Sequence, residues 1–509
     1  MSTKLNLQDW TPDALAYQIN LRSLACREPR NAFEAIGETA SPVSPLAYVT
    51  ENLGALKALG ANLLYLMPPY PMGLTDRKGI GSPYSARDFR DVDPEYGTLD
   101  ELATFVRTAH DLGFKVIFDI TPNHTSRDNV WATSHPEYYV KADDGELYFD
   151  GDWSDTAKLD YSHAGLRQAM TDVYDHWLSF LGDDRGDGVD GFRFDMAHFI
   201  NDLSFWDEAL PALRAQHAGR ELLFLAECYG TANNMALFER GMGAAYDDDF
   251  YKICQYGYAR GADGESCIAL ADDAYHNDDF ADTLNAFESG GIAGAVECAL
   301  LNYTNAEISG PNAPPRRPLL LRYTDNHDEG RGVYRFGLDA VRAMNQLIFM
   351  APETIPMLLT GQEFGAENRP PIHERIGLCD KGYRHIQNNR TDWRDGIEFE
   401  GNCFARGVDA RQAWYAFYKE LFALRTQHEA LRRGSFALLD AAEACASPDR
   451  CVVAFARQHD GTTLHCAVNL GPDARTLGNA ELSQGEVLYG GLKDHSLPAF
   501  AAIVTRMCM

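Results

Sequence analysis

The chain has 509 residues, 45% hydrophobic and 23% charged, a globular balance on a chain too long for one small core. Lysine and arginine number 45 against 74 aspartates and glutamates, a formal net charge of -29. Such a surface repels phosphate backbones and anionic bilayers, which excludes nucleic acid and membranes as partners and leaves neutral substrates unaffected.

The opening MSTKLNLQDWTPDALAYQINLRS has neither the apolar core nor the small-residue cleavage site of a signal peptide. No later run approaches the roughly 20 apolar residues of a membrane span. The 11 cysteines form no C-x-x-C pair, so neither a disulfide framework nor a zinc site is expected. Together these predict a cytoplasmic protein.

Seven short apolar runs bounded by turn or polar residues read as strands. In chain order they are 14–20, 62–68, 115–120, 189–194, 222–227, 319–325 and 354–360. An eighth, near 244–251, is weak and follows only from expecting a barrel. Helical patterns lie between them, such as TLDELATFVRTAHDLG at 98–113, with apolar residues at helical spacing and a glycine stop. Strand and helix in alternation predict a parallel sheet, closed or open.

Two segments interrupt the alternation. Residues 124–165 are polar and aromatic and too long for an ordinary connection, so they read as an inserted subdomain over the strand ends. A second insertion spans about 362–410. A helix with a strong apolar face is expected over 411–433. After it come strand-like runs at 435–440, 451–457, 462–470 and 486–489, separated by turns with no helices. The predicted division is a barrel over 1–123 and 166–433, an insertion over 124–165 and a β-sandwich over 434–509.

The chemistry-bearing residues stand where strands end. GFRFD ends at Asp195, LLFLAE at Glu227 and LRYTDNHD at Asp328, while KVIFDITPNH supplies Asp119 and His124. In a parallel barrel all strand C-termini open on one face, so these acids would converge. Converging carboxylates suit glycosyl transfer, where one attacks an oxocarbenium-like centre and another, protonated, donates to the leaving oxygen. Crowded like charges push one pKa up and make a usable acid.

DITPNH (119–124), GFRFDMAHF (191–199), LLFLAE (222–227) and DNHD (325–328) resemble, in order and spacing, the conserved regions of the α-amylase family, glycoside hydrolase family 13. GANLLYLMPPYP (60–71), GSPYSARDFRDVDPEYGT (81–98), GQEFG (361–365) and AWYAFYKELFALRTQHEALRRGSF (413–436) extend the resemblance over nearly the whole chain. It implies a (β/α)8 barrel with an insertion after the third strand and a small C-terminal all-β domain. It also implies a retaining hydrolase of α-glucosidic bonds in malto-oligosaccharides. Asp195 would be the nucleophile, Glu227 the general acid/base and Asp328 the partner of the ring hydroxyls. Arg193, on the same strand face as Asp195, would hold the nucleophile ionised. His124 and His327 would bind hydroxyls of the cleaved sugar, and Tyr84 would stack beneath it.

One departure stands out. Typical starch-cleaving members carry Lys-His where this chain has His198 and Phe199. His198 is therefore a candidate on the acceptor side, with a specificity unlike that of an ordinary endo-acting amylase. The family's calcium site commonly uses the backbone there. No metal is expected to be required; Asn123 is the one candidate calcium ligand. A transglycosylase (glucanotransferase or sucrose-type) would use the same carboxylates, and some family members are inactive binding proteins that have lost catalytic acids.

Overall fold

The computed structural model describes residues 9–25, 44–79, 81–182, 188–258, 280–314, 316–366, 408–439, 450–478 and 480–506. Ten strands precede the C-terminal region: β1 (Ala16–Ile19), β2 (Leu63–Leu66), β3 (Lys115–Ile120), β4 (His124–Ser126), β5 (Thr156–Lys158), β6 (Gly191–Phe194), β7 (Leu223–Ala226), β8 (Ala244–Tyr246), β9 (Leu319–Arg322) and β10 (Thr354–Leu359). Eight of them close a parallel barrel in the order β1-β2-β3-β6-β7-β8-β9-β10, with β10 paired back to β1. Every strand read from the sequence is present. The eight barrel strands are buried along their length except at Lys115, because helices cover the outside, so their runs are mostly apolar.

Local chemistry sets the boundaries. Helix Leu99–Asp111 begins with a capping box: Thr98 Oγ1 accepts from the Glu101 N–H, and Glu101 accepts from the Thr98 N–H at 2.8 Å. Gly191 opens β6 at φ 150°, and a Cβ there would meet the Leu223 carbonyl oxygen at 1.9 Å, so the GFRFD run requires its glycine. The weak eighth strand is shorter than expected. It stops at Tyr246 because Asp247 turns to Arg322 at 2.6 Å, and helix Asp248–Tyr258 follows with acids in its first turn.

The segment after β3 returns through the antiparallel ribbon β4–β5, with His124 opposite Lys158. The ribbon folds back over the C-terminal rim of the barrel. Of the predicted second insertion, residues 367–407 lie outside the described residues. The helix expected over 411–433 is two helices, Val408–Gln427 and Glu429–Arg433, broken at an extended His428 (φ -116°, ψ 97°). The apolar face continues across the break, through Leu424 to Leu431, so periodicity did not reveal it.

The C-terminal region holds β11 (Ser435–Leu438), β12 (Val452–His459), β13 (Thr462–Asn469), β14 (Arg475–Thr476), β15 (Glu486–Gly490), β16 (Ser496–Leu497) and β17 (Ala502–Arg506). They form a five-stranded antiparallel sheet, β11-β12-β13-β17-β15, and a β14–β16 ribbon. A short helix, Ala480–Gln484, interrupts what the sequence presents as strands and turns alone. Arg457 on β12 docks the sheet to the barrel: its Nη1 donates to the Met350 carbonyl at 3.0 Å. No helix among the described residues is long and apolar enough to cross a membrane.

Candidate active site

The barrel ladder carries the acids into position. One residue past the strand ends, the Asp195 N–H donates to the Ile120 carbonyl and the Glu227 N–H to the Phe194 carbonyl, both at 2.9 Å. The side chains at these positions therefore leave the sheet together at its C-terminal rim. Asp328 arrives differently. The Asn326 side-chain oxygen accepts from the N–H groups of Asp328 (3.0 Å) and Glu329 (2.8 Å), an Asx turn that brings Asp328 back over the barrel mouth.

These acids open onto a cavity of about 590 Å³. Asp195, Glu227, Asp328, Tyr84 and His124 line it, with Met196, Tyr229, Asp248 and Glu329. Lys78 and Gly79 of the loop after β2, together with Asp152, Trp153, Asp155 and Thr156 of the insertion, complete the wall. The size and mixed polar and apolar lining suit a small-molecule site.

Arg193 lies under the floor, fully buried. Its Nη1 is 2.8 Å from Asp119 Oδ1 and 2.7 Å from Asp195 Oδ1, and its Nη2 is 3.0 Å from Glu227 Oε2. Arg193, expected beside the nucleophile, is thus shared by three buried carboxylates. The consequence is electrostatic. Burial and then the neighbouring Glu227 charge push Asp195 well above the ordinary carboxylate value, against the pull of Arg193. Burial also pushes on Glu227, but Arg193, the Tyr229 hydroxyl and the Met196 N–H together hold it below its ordinary value. The two carboxyls interact closely enough to titrate as a pair, with Glu227 accepting from more donors than Asp195. Asp119 rises to about 6 through burial, opposed by Arg193 and by hydrogen bonds from Tyr65 and Tyr84.

A relay fixes the far wall. Gln18 Nε2 donates to His327 Nδ1 at 2.9 Å; His327 Nε2 is 2.5 Å from the Tyr84 hydroxyl and 3.0 Å from Asp328 Oδ2. The Tyr84 hydroxyl in turn donates to Asp119 at 2.9 Å, and its ring stacks on His327 at 5.2 Å. Tyr84 therefore presents a fixed ring to the cavity. His327, only 1% exposed, sits behind Tyr84 and Asp328 with both nitrogens engaged. Asp328 is the open member of the set, its side chain 45% exposed.

His124 reaches the cavity from the ribbon, and burial lowers its pKa to about 4, so it acts as a neutral hydrogen-bonding group. His198 stands just outside the lining, its ring 6.0 Å from that of Tyr229, and burial lowers it too. Sequence reasoning did not foresee the contact of the Tyr229 hydroxyl, which donates to Glu227 Oε1 at 2.5 Å, or that of Gln18 with His327. Neither has a signal: one follows the acid at the next-but-one position, and the other is a lone amide on a strand.

Asn123 was the candidate calcium ligand. Its amide nitrogen donates to Asp150 at 2.9 Å, and both Asp150 oxygens also accept from the Lys158 ammonium at 2.8 and 2.9 Å. The carboxylate is thus matched by a lysine, while Asn123 Oδ1, the atom that would face a cation, is buried without a hydrogen-bond partner. Among the described residues no set of three or more His, Cys, Asp or Glu is placed to hold a metal.

The family model described as "Alpha amylase, catalytic domain" matches residues 39–144 and 138–402. The chain is 25% identical over 492 residues to "Alpha-amylase MalA" of Haloarcula japonica, covering 95% of this chain and 59% of that protein. It is 23% identical over 517 residues to "Alpha-amylase 3" of Dictyoglomus thermophilum, covering 95% of this chain and 90% of the other. The chain thus spans less than two thirds of the first of these relatives. Among solved structures, an alpha-amylase from Lactobacillus plantarum superposes with a TM-score of 0.67 at 25% identity, covering 98% of this chain and all of that one.

Proposed function

This chain belongs to the α-amylase family, glycoside hydrolase family 13, and on that premise we propose that it is a retaining α-glycoside hydrolase acting on malto-oligosaccharides. The observation that carries the reading is the shared guanidinium. Asp195 and Glu227 bind adjacent nitrogens of Arg193, and both open onto one cavity, a paired arrangement suited to direct attack.

Asp195 attacks the anomeric carbon while Glu227 donates its proton to the departing oxygen. A glycosyl-enzyme ester forms on Asp195 as the glycosidic bond breaks. Glu227, now a carboxylate, takes a proton from water, and the water oxygen attacks the same carbon and releases Asp195. The pair enters the first step with its one proton on Glu227 and with Asp195 ionised. Asp328, open in the cavity, accepts from ring hydroxyls; Tyr84 supplies the stacking face and His124 a neutral hydrogen-bond partner. Arg193 balances charge beneath them. His198 shapes the acceptor side from behind Tyr229. No metal enters these steps. A cytoplasmic location is supported by the free thiols at Cys228, Cys254, Cys298, Cys451 and Cys466.

The test is a product time course on maltotriose to maltoheptaose with wild type and Asp195→Ala, reading the anomer of the first product by NMR. The α-anomer from wild type, with turnover reduced on the order of 10⁴-fold in the variant, is expected. Products longer than the substrate would mark a transferase. Equal turnover by both proteins, or a β-anomer, would overturn the assignment.

A further inference from the structure

The steps above use one sugar, but the cavity wall extends past it. Tyr84, the stacking face for the reacting sugar, shares the loop after β2 with Lys78, Gly79 and Ser82. Asp152, Trp153, Asp155 and Thr156 line the wall from the insertion, so two elements meet there at a seam. Trp153 is the only tryptophan among the lining residues, and Lys78 the only lysine or arginine. The Trp153 ring lies 5.4 Å from that of His124, tilted by 46°, so it stands beside a group that serves the reacting sugar. Its side chain is only partly buried. A partly exposed indole on a cavity wall presents an apolar face, and the C–H face of a hexose ring matches it.

The ring is held from several directions. The Trp153 N–H donates to the Asp150 carbonyl at 3.1 Å, and the Thr156 N–H donates to the Trp153 carbonyl at 2.9 Å. Asp150 is bound in turn by Asn123 and Lys158. From the other flank the Lys78 ammonium donates to the Asp152 carbonyl and lies 4.0 Å from the carboxylates of Asp152 and Asp155. Ser85 Oγ donates to the Asp155 carbonyl at 2.9 Å. Further along the seam the Leu74 N–H donates to Asp128 at 3.0 Å, and Arg127 Nε is 3.2 Å from Asp76. The seam thus has several anchors, and of these cross-seam donors Lys78 alone lines the cavity. A platform fixed before binding loses little freedom when a sugar arrives.

We propose that this seam is a second sugar site, in which Trp153 stacks on the glycosyl unit next to the reacting one and Lys78 positions that ring. The inference rests on the reading of the cavity as the site of glycoside cleavage, and it makes the enzyme selective for linked sugars over a lone glucosyl donor. The cavity, about 590 Å³, is of a size for a ligand larger than one hexose ring. Lys78 acts through the backbone: by holding the Asp152 carbonyl it fixes the peptide that leads into Trp153.

The experiment compares kcat and KM for maltotriose and for α-glucosyl fluoride, a donor with no neighbouring sugar. The proteins are wild type, Trp153→Ala, Trp153→Phe, Lys78→Ala and Lys78→Arg, with thermal melts to confirm folding. The readout is the ratio of kcat/KM for maltotriose to kcat/KM for the fluoride. It should fall about tenfold in Trp153→Ala, mainly through KM for maltotriose. Trp153→Phe should keep most of the ratio, because a stacking face remains. Lys78→Ala should lower it about threefold, and Lys78→Arg, which can still donate to the Asp152 carbonyl, should restore it. An unchanged ratio in Trp153→Ala, whatever the absolute rates, would overturn the proposal and leave Trp153 a packing residue. An unchanged ratio in Lys78→Ala would overturn the positioning role of Lys78. Hydrolysis of neither donor by wild type would instead remove the reading of the cavity as a glycosidase site, and the second sugar site with it.

Discussion

Strand β6 has an aspartate just before it and another just after it, and the two live in opposite electrostatic worlds. Asp190, at the bottom of the barrel, accepts from His110 Nε2, Lys115 Nζ and the Val116 N–H at 2.8–2.9 Å, with Arg220 3.8 Å away. Burial pushes it up, but His110 and Lys115 more than offset that, and it lies below its ordinary value. Asp195, at the top, shares one arginine with Asp119 and Glu227 and lies well above its ordinary value. One end gives an acid a surplus of donors, and the other gives several acids a single cation. The first arrangement stabilises the fold, and the second stores reactivity at a cost in stability.

The largest test of this contrast is Arg193→Met. It removes the cation and leaves Asp119, Asp195 and Glu227 buried without it. Stability should fall by about 3–5 kcal/mol in denaturant titration, with activity abolished. A loss below about 1 kcal/mol would show that the three acids are neutral in the folded state and need no cation.

Next is Asp190→Asn, which removes the acceptor at the bottom. We expect a loss of about 1–3 kcal/mol at pH 7 with kcat/KM unchanged. Because the folded pKa of Asp190 lies below the unfolded value, its stabilisation is present above that unfolded value and fades as pH falls through the folded one. The gap between variant and wild type should therefore close below about pH 4. A gap independent of pH would assign the effect to packing.

The smallest is Asp195→Asn. A raised folded pKa means the penalty is absent below the unfolded value and grows as pH rises toward the folded one. The inactive variant should melt higher than wild type, by about 1 kcal/mol at pH 8, with little difference at pH 4. A lower melting point at pH 8 would place Asp195 with Asp190 as a stabilising residue and erase the contrast.

Much of this was legible in the sequence because a barrel writes itself in short apolar runs, and acids that end such runs have only one face to emerge on. Asp195, Glu227 and Asp328 stand out for that reason, and Arg193 follows from the period of two along β6. Legibility failed where a side chain is placed by contacts from another element. His327 looks like Asp328's neighbour in sequence, yet Gln18, from a strand some three hundred residues away, fixes its ring. Tyr229 carries no strand-end signature, and only the packing of its hydroxyl on Glu227 gives it meaning. The break at His428 was hidden because buried apolar residues continue on both sides of it, Leu424 before and Leu431 after.

A final consequence follows from Met196. It takes a left-handed backbone conformation, φ 45°, immediately after Asp195. From there its N–H grips the Glu227 carboxyl at 2.7 Å, while the Ala197 N–H grips the Glu227 carbonyl at 3.0 Å. Neither bond involves the side chain of residue 196 or 197. The spacing of the two acids is thus inherited through main chain, while the cavity wall beside them is written in side chains. Reactivity and selectivity occupy the same residues but different atoms, so a lineage can recut the wall for a new acceptor and keep the reaction intact.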